Sequence, residues 1–250
     1  MQSGQGFIPN SFNYYEIAKK AYEKTKQGFP IHSKEDALVA IVFSALSLEA
    51  FINELGVFAE DAKAHGYTEP FLDSLINVLD ESLIAPKDKT TQAKFLNASD
   101  ALSNKFDKCK KPYQDFVDLF ALRDCLVHSK PDRFNIDTHD QWFYSRNKVI
   151  NRLRGKNIFL NTSNKSLHLL VSTEKAAKWA CDIAAEMVNA ILDKIPDSRF
   201  KTDNIDDYKP LGCYRIMFKA LQPTFRSKFE VKTIKILKCI FSNSFTKVGK

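Results

Sequence analysis

Residues 44–55 read SALSLEAFINEL and lie in the middle of the longest helical pattern in the chain. Ser33 suits a helix N-cap, and the acidic Glu35 and Asp36 suit the first turn that follows. The pattern predicts one helix from Ser33 to about His65, followed by a glycine that ends it. Because the first half of this helix is apolar nearly all round, we expect it to lie at the centre of a bundle.

Helical spacing recurs along most of the remaining chain. The 250 residues include only 8 glycines, which argues against a turn-rich all-β protein. The predicted helices cover residues 12–27, 69–84, 91–106, 113–127 and 173–195. A short helix is predicted within 141–154, and a short strand or extended connection within 166–171. The sequence therefore predicts an all-α fold, an up-and-down helical bundle.

The net charge of +7 is unevenly placed. Residues 197–250 hold twelve Lys and Arg against five Asp and Glu, whereas residues 1–196 hold 25 of each kind. We predict an N-terminal helix and linker (1–32), a helical body that ends at Pro196 (33–196) and a basic C-terminal tail (197–250). A basic tail is typical of binding to nucleic acid or an anionic membrane, and packing against the body or plain solvation are the alternatives. Within the tail, residues 225–241 fit a basic amphipathic helix.

The cysteines and the apolar runs indicate a cellular compartment. Five scattered cysteines, none spaced as CxxC, predict neither a zinc site nor a disulfide framework. Free thiols are typical of the reducing cytosol. The first ten residues lack the regions of a signal peptide. The longest apolar run, Leu38 to Leu48, is shorter than the roughly 20 residues of a membrane span. We expect a cytoplasmic protein without a transmembrane segment.

The stretch RDCLVH at residues 123–128 carries the strongest chemical signal. It ends the predicted helix 113–127, and Ser-Lys-Pro follows it. Arg123 has forked donors that hold a phosphate, and the imidazole of His128 moves protons near neutral pH. On an ideal helix the two side chains lie about 140° apart. The helix must therefore end between them, or two copies of the chain must bring them together.

Two glutamates of the central helix are further candidates for this site. Glu49 and Glu54 either are buried and paired, with Arg123 as a candidate partner, or face solvent at the edge of the bundle.

The motif Arg123-Asp124-x-x-x-His128, together with the helix around residues 47–55, resembles the HEPN family (higher eukaryotes and prokaryotes nucleotide-binding domain). That family is marked by an Arg, a polar residue and a His in the pattern R-x(4–6)-H. The resemblance covers about residues 33–195. It implies a HEPN-type helical bundle that dimerises with both motifs at a shared cleft. It also implies metal-independent RNA cleavage, with Arg123, Asp124 and His128 as site residues and no cofactor.

In the chemistry that follows, His128 acts as general base on a ribose 2′-OH or as acid to the leaving 5′-oxygen. Arg123 stabilises the phosphoryl charge, and Asp124 orients Arg123 or His128. Only RNA supplies the 2′-OH, so DNA should remain uncut.

We predict a cytoplasmic endoribonuclease that acts on RNA as a homodimer. The resemblance implies a role in prokaryotic defence or as a toxin, with a protein regulator or antitoxin as a further partner. The main alternative is a non-catalytic HEPN-like module that binds RNA or a nucleotide, or serves as a partner subunit. A helical scaffold with no nucleic-acid role is the third possibility.

Overall fold

The computed structural model describes residues 9–27, 33–80, 82–128, 133–134, 142–143, 147–161, 166–202 and 210–221. The fold is all-α, as the sequence predicts. Its helices are α1 (Asn10–Thr25), α2 (Ser33–Ala64), α3 (Pro70–Leu79), α4 (Thr91–Ala101), α5 (Tyr113–Val127), α6 (Asn147–Arg154), α7 (Leu167–Leu170), α8 (Glu174–Lys194), α9 (Arg199–Thr202) and α10 (Pro210–Met217). A 3₁₀ turn covers Pro86–Asp88, and the two-residue strands β1 (Arg133–Phe134) and β2 (Trp142–Phe143) pair antiparallel.

The predictions for α1, α2, α5 and α8 are confirmed to within about two residues at each end. Helix α3 ends five residues earlier than predicted because the Asp80 carboxylate accepts a hydrogen bond from the Ser82 amide, a local bond that competes with the helix. Helix α4 ends at Ala101, earlier than predicted, and Ser103 just beyond its C-cap has a left-handed φ of 58°. The predicted short helix within 141–154 is confirmed in its second part, as α6, whereas β2 occupies part of the first.

The prediction of a strand or extended connection at 166–171 is wrong, because this segment contains the helical turn α7. Leu167 and Val171 are both fully buried and lie four residues apart, about one helical turn. A strand would place Leu169 on the same face, but Leu169 is only half-buried. The amide of Val171 accordingly donates to the carbonyl of Leu167 at 3.1 Å.

Helix α2 lies at the centre of the fold, as predicted, and packs against α1, α3, α4, α5 and α8. Its core positions are fully buried: Ile41, Ala45, Leu48, Phe51, Ile52 and Leu55. Two serines on the same helix are buried with their hydroxyls bonded, Ser47 to the carbonyl of Ser44 at 2.7 Å and Ser44 to the Cys181 thiol at 3.6 Å. The polar interruptions in the apolar run therefore fit the core without an unpaired group.

Within the described residues, α2 alone is long and apolar enough to cross a membrane by length and composition. More than half of its apolar window is buried inside the fold, and the core helix of a bundle passes the same test. This part of the chain therefore contains no clear membrane-spanning segment.

The folded body extends beyond Pro196, where the sequence suggested that it ends. Tyr214 and Phe218, in and just after α10, are fully buried. The Tyr214 hydroxyl donates to the buried carboxylate of Glu54 on α2, which also accepts the Ser11 amide at 2.9 Å and the Ser11 hydroxyl. Residues assigned to the tail thus join the first helix to the core. The predicted amphipathic helix at 225–241 lies outside the described residues.

Candidate functional site

Helix α5 delivers the motif, and its core-facing side ends at Arg123. At about 100° per residue, Arg123 points in nearly the same direction as Phe116, between the directions of Leu119 and Phe120. All three of these apolar residues are buried. The guanidinium therefore lies at the rim of the core, with its carbon 5.0 Å from the centre of the Phe120 ring.

Two carboxylates hold the Arg123 guanidinium. Its Nη2 lies 3.1 Å from Oε2 of Glu49 on α2, and its Nη1 lies 3.0 Å from Oδ1 of Asp124. The Arg123 side chain is only 18% exposed, whereas those of Glu49 and Asp124 are 44% and 55% exposed. Nε of Arg123 is buried and makes no hydrogen bond within the described part of the chain. The cluster therefore contains one cation and two carboxylates, and the buried Nε–H donor of the cation is left over.

His128 lies at the C-cap of α5. Its amide donates to the Asp124 carbonyl at 3.0 Å, while its φ of −100° and ψ of 44° leave the helical region. The side chain is exposed, and its imidazole makes no hydrogen bond or ion pair with any other described residue. Because the backbone stays helical from Arg123 through Val127, the two side chains lie about 140° apart around the axis.

The structure thus brings Arg123, Asp124 and Glu49 together and leaves His128 on another side of the same helix end. The helix does end between Arg123 and His128, at Val127, but four helical residues follow Arg123 first, so the helix end does not bring the two side chains to one face. Of the two glutamates considered beside the motif, Glu49 pairs with Arg123, and Glu54 is buried elsewhere among Ser11 and Tyr214.

Sequence reasoning missed a second charged cluster, on another side of α5. Asp115 and Asp118 are buried there, and the Lys156 ammonium lies between them, in an ion pair with Asp115 and 3.0 Å from Asp118. Lys111 also approaches Asp115 at 3.0 Å, and Arg152 approaches Asp118 at 3.1 Å. Two carboxylates three residues apart in the first half of this helix were the available signal. The cluster ties α5 to α6 and to the loop that follows α6.

Burial and pairing act in opposite directions on these groups. Burial disfavours the charged form of Asp115, but the hydrogen bonds and charges of Lys156 and Lys111 outweigh it and lower the pKa of Asp115 below its ordinary value. Burial likewise disfavours the charge on Lys156, but Asp115 and Asp118 raise its pKa. Both results indicate ionised, mutually satisfied partners, which is the behaviour of a structural ion-pair network.

No group of three or more His, Cys, Asp or Glu side chains suited to a metal ion occurs among the described residues. Comparison of the chain with protein-family models, curated proteins and solved structures finds no match. The chemistry of the α5 terminus therefore carries the functional argument.

Proposed function

We propose that this chain is a metal-independent endoribonuclease of the HEPN type, active as a homodimer whose two α5 ends face one cleft. The observation that carries the proposal is the arrangement of this helix end: an exposed imidazole at the C-cap and a guanidinium held one turn earlier at the rim of the core. A proton-transfer group and a phosphate-binding group are the two parts that cleavage of RNA by its own 2′-OH requires.

In the proposed reaction, His128 takes the proton of a ribose 2′-OH as the 2′-oxygen attacks the neighbouring phosphorus. The bond from phosphorus to the 5′-oxygen breaks, and a protonated imidazole supplies the proton that makes the 5′-OH product. The other product is a 2′,3′-cyclic phosphate. Arg123 stabilises the charge on the phosphoryl oxygens, and Asp124 positions the guanidinium through the contact at 3.0 Å.

The angle between the two groups supports a homodimer. Arg123 and His128 of one chain diverge by about 140° around α5, so one helix does not aim both at the same phosphate. A two-fold axis beside the α5 ends would place Arg123 of one chain opposite His128 of the other. A cytoplasmic role in prokaryotic defence or as a toxin, with a protein regulator, is proposed from the family resemblance alone.

The first experiment is a cleavage assay on single-stranded RNA in EDTA. We expect the purified chain to produce 2′,3′-cyclic phosphate ends, and His128→Ala to abolish cutting while the circular dichroism spectrum is retained. His65→Ala is the matched control, because His65 is also exposed at the end of a helix but lies away from α5. DNA of the same sequence should remain intact. If the native chain cuts no RNA, or if His128→Ala cuts RNA as well as the native chain does, the proposed endoribonuclease mechanism is rejected.

A mixing experiment tests the shared cleft. Arg123→Ala and His128→Ala should each be inactive alone. In a heterodimer of the two, one of the two Arg–His sites in the shared cleft receives an intact Arg123 from one chain and an intact His128 from the other. After exchange of subunits, activity should return to about a quarter of the native value, since half of the dimers are mixed and each has one intact site. No recovery in a verified heterodimer would contradict a site built across two chains.

A non-catalytic module that binds RNA or a nucleotide is the second candidate. The observation that favours it is the pairing of Arg123 with two carboxylates, which engages both terminal nitrogens of the guanidinium. Binding of RNA that weakens with added salt, without cleavage, would support this candidate.

A further inference from the structure

We propose that Glu49 is a built-in competitor of the phosphate, occupying the side of the Arg123 guanidinium that an RNA phosphate would take. The inference deepens the proposed function by naming a residue that limits RNA binding at the same site. Glu49 must then move away before Arg123 holds a phosphate, so the Glu49 carboxylate opposes phosphate binding at Arg123.

The hydrogen-bonding capacity of the guanidinium supports this inference. A forked contact to a phosphate uses two N–H donors in one plane. Nη2 is engaged by Glu49 at 3.1 Å and Nη1 by Asp124 at 3.0 Å. Nε is buried and has no partner among the described residues, which is uncommon for a buried donor. Release of Glu49 would free Nη2, the donor that shares one edge of the guanidinium with Nε.

The net charge of the cluster also opposes phosphate binding. One guanidinium and two carboxylates give the cluster a net charge of −1, which repels an approaching phosphate. Removal of the Glu49 charge makes the cluster neutral and leaves the Asp124 contact in place. A phosphate would then meet a partly free cation.

The position of Glu49 makes it the mobile partner. Asp124 follows Arg123 directly on α5 and therefore moves with it, whereas Glu49 reaches the guanidinium from α2. The Glu49 side chain is 44% exposed and can turn toward water. Ion pairs at this exposure contribute little to stability, so exchange of Glu49 for a phosphate costs little.

The test measures binding of a single-stranded RNA oligonucleotide in the His128→Ala background, where the RNA stays intact. We expect Glu49→Gln to lower the Kd by about three- to tenfold at low salt. Glu60→Gln is the matched control, because Glu60 is an exposed glutamate on the same helix and should leave the Kd unchanged. Thermal unfolding of each variant shows whether the fold is retained.

A double-mutant cycle makes the inference specific to Arg123. The gain from Glu49→Gln should disappear when Arg123 is replaced by Ala, or by Gln if the alanine variant unfolds. A gain that persists without Arg123, a Kd that rises or stays level in Glu49→Gln, or no RNA binding by any variant overturns the inference. Lack of cleavage by the native chain would reject the nuclease alone, because the Kd shift is measured without catalysis.

Discussion

Replacement of Phe218 by alanine tests whether the chain beyond Pro196 belongs to the folded core. Phe218 follows α10 and is fully buried. Its ring stacks on Tyr15 at 4.4 Å between ring centres and lies 6.3 Å from the Phe51 ring on α2. The substitution removes a buried aromatic ring between two helices that are already packed together, so the space does not close easily.

We expect Phe218→Ala to lower the free energy of unfolding by about 3–5 kcal/mol, the usual cost of Phe→Ala in a core. Urea unfolding followed by far-ultraviolet circular dichroism measures this free energy. Ile216→Ala, two residues earlier in α10, is the matched control. Its side chain is 48% exposed, so we expect a change within about 0.5 kcal/mol.

Two truncated chains test the same packing. A chain that ends at Leu221 retains the contacts that α10 makes with other described residues, whereas a chain that ends at Thr202 loses Tyr214 and Phe218 together. Only the second should show the large loss of stability. If Phe218→Ala costs no more than Ile216→Ala, or the Thr202 truncation unfolds at the same urea concentration as the full chain, the packing of α10 is refuted.

Three further variants test the buried polar groups. Lys156→Met should lower the free energy of unfolding by about 2 kcal/mol in urea, since it removes the cation between two buried carboxylates that keep other partners. Above pH 3.8, the ordinary pKa, the native chain should have its full excess in free energy of unfolding over Asp115→Asn. This difference should be lost as the pH falls through the lowered pKa of Asp115. A difference independent of pH would contradict the prediction. Tyr214→Phe should cost about 1.5–3 kcal/mol by thermal or urea unfolding, because Glu54 loses a donor, and an unchanged stability would argue against that bond.

The local signals of the long helices were sufficient to predict them. Thr173 accepts the Ala176 amide at 2.9 Å, which is the N-cap that its position before an apolar helical pattern predicts. Helix α5 begins and ends at the predicted residues, between two prolines in the sequence. Composition and a period of 3.6 residues determine such elements within a single window, so a single sequence reveals them.

Contacts between distant residues were beyond the same reasoning. Pro196 correctly marks the end of α8, but nothing near it indicates that Tyr214 returns to Glu54, 160 residues away in sequence. The Lys156 network was missed for a similar reason, since its partners precede it by 38 and 41 residues. At the candidate site, the divergence of Arg123 and His128 followed from helix geometry, whereas the choice of Glu49 and not Glu54 as the partner of Arg123 required the packing of α2 on α5.

The hydrogen bonds that join Ser11, Glu54 and Tyr214 also determine when the fold can be completed during synthesis of the chain. Helices α1 and α2 are made first and pack against each other, but the Glu54 carboxylate and the aromatic surface around Tyr15 and Phe51 await residues made more than 150 positions later. A chain still attached to the ribosome before α10 therefore exposes that surface to water and to chaperones. Contacts of such long separation also slow folding relative to other helical proteins of this length. The last described helix thus acts as the closing element of a fold that its first helix begins.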